Sequence, residues 1–226
     1  MNDPLAVLIS FVCDFALLGI AEGLRHALKL PVEFTRKFVH IGVGMWAWGT
    51  VALFHDKWFA IIPPAAFIVI NTISYRRGVF KTMETGDRSN LGTIYFPIAF
   101  VALILLFFDT GKVVFVAALM PMTWGDAFAA IVGRMKGAHK YTLFGSTRSL
   151  EGSLVMLLLS FAALWITFAI FFPSAPSLAL ALWIALPVAV LVTVVEAISP
   201  WGLDNLLVPA ASALGIFGRL SFFAQV

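Results

Sequence analysis

Apolar residues run along this chain in long stretches broken by short polar ones. The stretches fall at about 4–24, 38–54, 58–74, 92–108, 113–132, 150–172, 177–195 and 203–218. Most approach the roughly 20 residues that carry a helix across a bilayer core of about 30 Å. Backbone groups in lipid must be satisfied within their own segment, so each stretch is predicted as a helix. Pro63 and Pro64 interrupt the third; Pro209 and Gly215 interrupt the short last one, and Gly202 stands just before it. The pattern predicts an all-α, polytopic integral membrane helix bundle of about seven to nine transmembrane segments. No repeat is visible and no linker is long enough to divide the chain, so residues 1–226 are read as one domain.

Composition supports the pattern. The chain is 61% hydrophobic and 12% charged, against about 45–50% and about 25% in soluble domains. The single cysteine, Cys13, excludes an internal disulfide and a cysteine-built zinc site. The opening MNDPL lacks the basic region of a cleavable signal, so the first stretch is kept as a span.

Charge placement then adds an orientation. Arg25, Lys29, Arg36 and Lys37 follow the first stretch; Arg76, Arg77, Lys81 and Arg88 follow the third; Arg134, Lys136, Lys140 and Arg148 follow the fifth. These are 12 of the 15 Lys and Arg, and the alternate loops hold only Lys57 and Lys112. By the positive-inside rule the N-terminus is expected outside and the basic loops in the cytoplasm. Attraction to anionic membrane lipids accounts for many of these cations, and nothing in their placement calls for nucleic acid. It does not account for Glu33, Asp87, Asp126, Glu151, Glu196 and Asp204, which fall near the same ends of the segments. Carboxylates and cations on one interface are the layout of a site for a polyanion held through a metal.

Soluble nucleotide folds find no support. There is no GxxxxGK[ST] and no HExxH, and the GxGxxA string at 42–47 lies inside an apolar helix. Four polar groups remain. Arg36 and His40 share a helix face with Lys37 between them. Residues 86–93, GDRSNLGT, run straight into a span; Asn90 is a candidate cap, and the helix start offers N–H groups to an anion. Asp126 stands inside the fifth segment, where a carboxylate costs roughly 2.5–3.5 kcal/mol and is read as functional. Gly125, Ala129 and Gly133 form a small-residue stripe beside it, and Ser149 caps a following helix with Glu151 in its first turn. Last, Glu196 sits at a helix C-terminus, against the dipole, and requires a metal or a basic partner; Asp204 and Asn205 follow it.

The elements RKFVHIGVG (36–44), RSNLGTIYFPI (88–98), GDAFAAIVGRMKGAHK (125–140), SLEGS (149–153) and SPWGLDNLLVP (199–209) together resemble the phytol kinase and dolichol kinase family of CTP-dependent membrane lipid kinases, itself similar to phosphatidate cytidylyltransferases. The family's Gly-Lys-Lys/Arg-Ser-Leu-Glu-Gly element stands here with Thr147 in place of a lysine. The resemblance implies an integral membrane enzyme using CTP, Mg²⁺ and a lipid alcohol that enters between spans. It casts Asp126, Glu151 and Asp204 as catalytic and metal-binding carboxylates. Arg36, Lys37, Arg88, Arg134, Lys140 and Arg148 become triphosphate ligands. His40, Asn90, Gly92, Thr93, Gly125, Glu196 and Asn205 support them. The alternatives are a CTP-dependent diacylglycerol kinase, a phosphatidate cytidylyltransferase (whose double-aspartate C-terminal signature is missing here), and, more distantly, an ion-coupled transporter using Asp14 and Asp126.

Overall fold

A computed structural model describes residues 2–77, 90–173 and 181–223. Its helices are α1 (Asp3–Leu28), α2 (Val32–Leu53), α3 (Lys57–Ala60), α4 (Ile62–Arg77), α5 (Gly92–Phe107), α6 (Lys112–Met120), α7 (Ala127–Lys136), α8 (Leu150–Phe171), α9 (Leu186–Ile198) and α10 (Asp204–Phe223). A π-helical turn, Pro121–Asp126, joins α6 to α7, and another, Ala181–Ala185, leads into α9. Strands β1 (Lys140–Leu143) and β2 (Ser146–Ser149) form an antiparallel hairpin with Lys140 opposite Ser149. The fold is a helical membrane bundle.

Hydrophobic side chains cover its outside, including Leu8, Val12, Leu106, Ile166 and Leu214. A contiguous apolar surface of this extent is unstable in water and at home in lipid. Within the bundle the pass from Lys112 to Lys136 is central. Its most apolar stretch is 78% buried, against 28% or less in the other three long apolar passes. Phe115, Val116, Ala117, Ala118 and Leu119 are fully enclosed.

Several boundaries differ from the apolar pattern for local reasons. Helix α2 begins at Val32, after Pro31 at its N-cap, and not at 38. Arg36, Lys37 and His40 therefore lie inside the helix and are buried. The third stretch divides into α3 and α4 around Ile61. The fifth carries the π turn where Pro121 lacks the N–H of a regular helix. The hairpin, absent from the all-α expectation, occupies the polar stretch between α7 and α8. The seventh stretch and the loop bearing Arg88 fall partly or wholly outside the described residues.

Successive helices run to and fro between two ends. At one end Asp3 accepts the His55 N–H at 2.9 Å, and Lys57 pairs with Asp109 at 2.6 Å. The other end holds the hairpin and most of the cations. In a Cys13→Ser background, Lys57→Cys should react with an impermeant thiol reagent only from outside the cell, and Lys140→Cys only from the cytoplasmic side. Labelling of both from one side would overturn the orientation.

Candidate active site

The first half of the site is built by α2 against the π turn. Lys37 reaches across the bundle and donates to Asp126 Oδ2 in a buried ion pair. Their side chains are 4% and 2% exposed, so neither charge is solvated by bulk water. One turn along α2, His40 Nε2 lies 2.9 Å from the Met122 carbonyl, which fixes that nitrogen as the donor. Met122 belongs to the π turn, so His40 satisfies a carbonyl of the irregular segment that carries Asp126. The small-residue stripe faces α8. A Cβ on Gly125 would lie 2.3 Å from Ser160 Oγ, and one on Gly133 would lie 3.1 Å from Ser149 Oγ. Close packing here brings the end of α7 and the start of α8 together.

The second half is built by β2, the end of α9 and the start of α10. Arg148 Nη2 donates to Asp204 Oδ2 at 2.8 Å. Its Nε lies 3.0 Å from Glu196 Oε1, but that N–H is not directed at the carboxylate. Arg148 is thus the basic partner that Glu196 requires at its helix end. Asp126, Glu196 and Asp204 each offer an oxygen within 4.8 Å of the others. Three buried carboxylates meet two cations, Lys37 and Arg148. The surplus of negative charge and the oxygen donor set suit a divalent cation such as Mg²⁺.

A backbone clamp ties the start of α5 to the start of α10. Leu91 N donates to the Trp201 carbonyl at 3.1 Å, and Gly92 N to Asn90 Oδ1 at 3.0 Å. Asn205 Nδ2 donates to Asp204 Oδ1 at 2.8 Å and to the Gly202 carbonyl at 3.2 Å. Gly202 has φ +81°, and a Cβ there would lie 2.5 Å from Gly92 N. Glycine is needed at Gly202 for both its conformation and its close approach.

Two spaces flank the charged group. A cleft of about 270 Å³ is lined by Arg134, Lys140, Thr147, Arg148, Ser149 and Glu196, among others. A separate apolar cavity is lined at one end by Arg36, His40, Gly92, Thr93 and Asn205. Among the described residues Arg134 and Lys140 form no ion pair, so their charge faces the cleft.

The sequence-derived residues therefore divide. Asp126, Asp204, Lys37, Arg148, Glu196 and Asn205 come together, with His40, Asn90, Gly92 and Gly125 supporting them. Arg134 and Lys140 stand on the cleft. Glu151 departs from its expected place among the metal-binding carboxylates. It accepts from His139, at 2.7 Å from Nδ1 and 3.2 Å from the backbone N, on an exposed surface. Glu196, read from sequence only as support, takes the third carboxylate position. Arg36 is held by Glu33 at 2.6 Å and Lys37 by Asp126, and neither lines the basic cleft. Arg88 lies outside the described residues. Asp14 is apart from the carboxylate group, on the wall of the apolar cavity, and its Oδ1 has no hydrogen-bond partner.

A helical membrane bundle with a buried carboxylate and cation centre, a basic cleft and an apolar cavity has the build of a membrane enzyme. The chain is 33% identical to a phytol kinase of Synechocystis sp. over 95% of its own length and 92% of that protein. It is 27% identical to a probable chloroplastic phytol kinase of Triticum aestivum and to one of Oryza sativa subsp. japonica. Those alignments cover 71% of this chain but only 57% and 54% of the plant proteins. No family model and no solved structure matches it. The chain belongs to the phytol kinase family.

The clamp yields a test. Gly202→Ala adds a side chain to a left-handed residue, a cost of roughly 1–2 kcal/mol before the steric clash. It should lower activity at least tenfold and reduce the melting temperature of the detergent-solubilised protein. Gly145 also has a left-handed φ, +84°, but has nothing within 4 Å of a new Cβ. Gly145→Ala should therefore be the milder change in the same two measurements.

Proposed function

We propose that this chain transfers the γ-phosphoryl group of CTP to a membrane isoprenoid alcohol of the phytol type. The observation that carries the reading is the position of the charged group. Glu196 and Arg148 line the basic cleft, and Asn205, next to Asp204, lines the apolar cavity. A polyanion on one side and a lipid hydroxyl on the other would meet at these carboxylates. The relatives' activity supports the kinase and the alcohol. CTP is supported by the sequence resemblance, and the cytoplasmic placement of the cleft by the distribution of basic residues.

Phosphoryl transfer depends on positioning and charge neutralisation more than on covalent chemistry. Arg134, Lys140 and Arg148 would hold the triphosphate in the cleft. The alcohol oxygen attacks the γ-phosphorus, the bond from that phosphorus to the β-bridging oxygen breaks, and CDP leaves. Asp126 has Lys37 as its hydrogen-bond partner through Oδ2, and its other oxygen would take the hydroxyl proton. Lys37 holds that carboxylate in place and balances its charge. Asp204 and Glu196, with Asp126, are the residues that would hold Mg²⁺. A bound Mg²⁺ would supply charge neutralisation for the phosphates.

Two measurements test this reading. With purified protein, an isoprenoid alcohol and CTP labelled at one phosphorus, label should reach the lipid from the γ and not the α position. Label from α would instead mark cytidylyl transfer, transfer to diacylglycerol alone would mark the diacylglycerol kinase, and no transfer to any lipid would favour the transporter. Asp126→Asn should lower kcat by about 10²–10⁴, the range for loss of a general base, in protein that still inserts but melts at a lower temperature, because Lys37 loses its buried partner.

The cationic cleft has its own signature. Arg148→Ala should raise the KM for CTP at least tenfold and that for the alcohol much less. Arg148→Lys should also be harmful, because a lysine cannot reproduce guanidinium contacts to two carboxylates and a phosphate. Small, equal effects at Arg134, Lys140 and Arg148 would show that the nucleotide binds elsewhere.

A further inference from the structure

The apolar cavity is longer than a site for a hydroxyl requires. It follows α2 from Arg36, beside the charged centre, to Phe54 at the far end of the helix. That separation is roughly 27 Å at about 1.5 Å per helical residue. Val43 and Phe96 line its walls, and Phe54, Ala60 and Pro63 form its far end. All three end residues are buried, so the far end abuts protein. Asp14 and Ser10 are polar exceptions on the α1 wall.

We propose that this cavity seats the isoprenoid chain of the substrate, and that Phe54 and Ala60 limit its length to about four or five isoprene units. The proposal rests on the kinase reading, which places the hydroxyl at the Asn205 end. Four isoprene units put about sixteen carbons in line, roughly 20 Å for C–C bonds of about 1.5 Å. Five come close to the cavity's length, and a polyprenol of eleven units does not fit. The chain then lies inside the bundle and is sorted by a fixed wall. A chain lying against the bilayer would meet no such stop. Each buried methylene is worth about fourfold in binding, so activity should climb with length until the end wall is reached.

The test uses the full-length protein in lipid nanodiscs with CTP and isoprenoid alcohols of two, three, four, six and eleven units. For the wild type, kcat/KM should rise to four units and fall at least 100-fold by eleven. Ala60→Phe should lower kcat/KM at least 30-fold for the four-unit alcohol and leave the two-unit alcohol within about threefold. That second value also reports correct folding. Phe54→Ala should raise kcat/KM for the six-unit alcohol at least fivefold. In a Cys13→Ser background, the four-unit alcohol should protect Val43→Cys from a small thiol reagent.

Equal turnover of the four- and eleven-unit alcohols overturns the proposal. So does a length profile unmoved by Phe54→Ala, even if Ala60→Phe misfolds. No turnover of any alcohol by the wild type defeats the kinase reading instead. The protection measurement then stands alone, and absence of protection removes the lipid seat as well.

Discussion

The buried pairing of Lys37 with Asp126 is the constraint around which the bundle is arranged. An isolated charge in a low-dielectric interior carries a desolvation cost of several kcal/mol, which only a close and well-oriented partner offsets. Removing one member of such a pair typically costs about 3–5 kcal/mol, because the other is left uncompensated. The pair therefore fixes α2 against the π turn, two elements remote in sequence. His40, one turn from Lys37, reinforces the same contact through the Met122 carbonyl. Arg148 does the corresponding work between the hairpin and the junction of α9 with α10. Both cations thereby organise carboxylates before any substrate arrives. Under the proposed reaction a phosphate group would meet charges that are already positioned.

Much of this was legible in the sequence, and the limits have physical causes. The helices announce themselves because lipid demands long apolar runs, and Asp126 stands out because a carboxylate at membrane depth is costly. Glu196 was marked as needing a basic partner by its position against the helix dipole. That the partner is Arg148 was not legible, because the pairing spans residues far apart in the chain. Glu151 shows the reverse. It occupies a conspicuous place in the family-like SLEGS element, yet its carboxylate caps the start of the hairpin through His139. Local spacing gave its position on α8 but not the direction its side chain takes.

The start of α2 was hidden for a related reason. Hydropathy breaks at the cations, so the apolar run begins after them, whereas the helix continues back through them to Pro31. Charged residues inside a helix mimic a loop in any hydrophobic average. Here that mimicry moved Arg36 and Lys37 into an imagined cytoplasmic loop, with their charges free for phosphate. Once the helix is extended to Val32, both must be buried and both must find carboxylates. The same correction gives them carboxylate partners, Glu33 for Arg36 and Asp126 for Lys37.

Under the proposed reaction, two substrates that share no solvent must meet. A triphosphate needs water and cations, while an isoprenoid chain needs an apolar wall, and the reacting atoms must still meet within bonding distance. Placing the centre on a membrane face alone would leave the chain to find its hydroxyl's position from the bilayer. Placing it deep in the core would bar the nucleotide. Glu196 and Arg148 line the cleft and Asn205, beside Asp204, lines the cavity, so under that reading each substrate can remain in a medium that suits most of its surface. Gly92 and Gly202 lie close together: side chains there would push Asn205, Asn90 and the Gly92 backbone apart. The close glycine contact thus lets the start of α5 pack directly on the start of α10, beside Asp204 and Asn205.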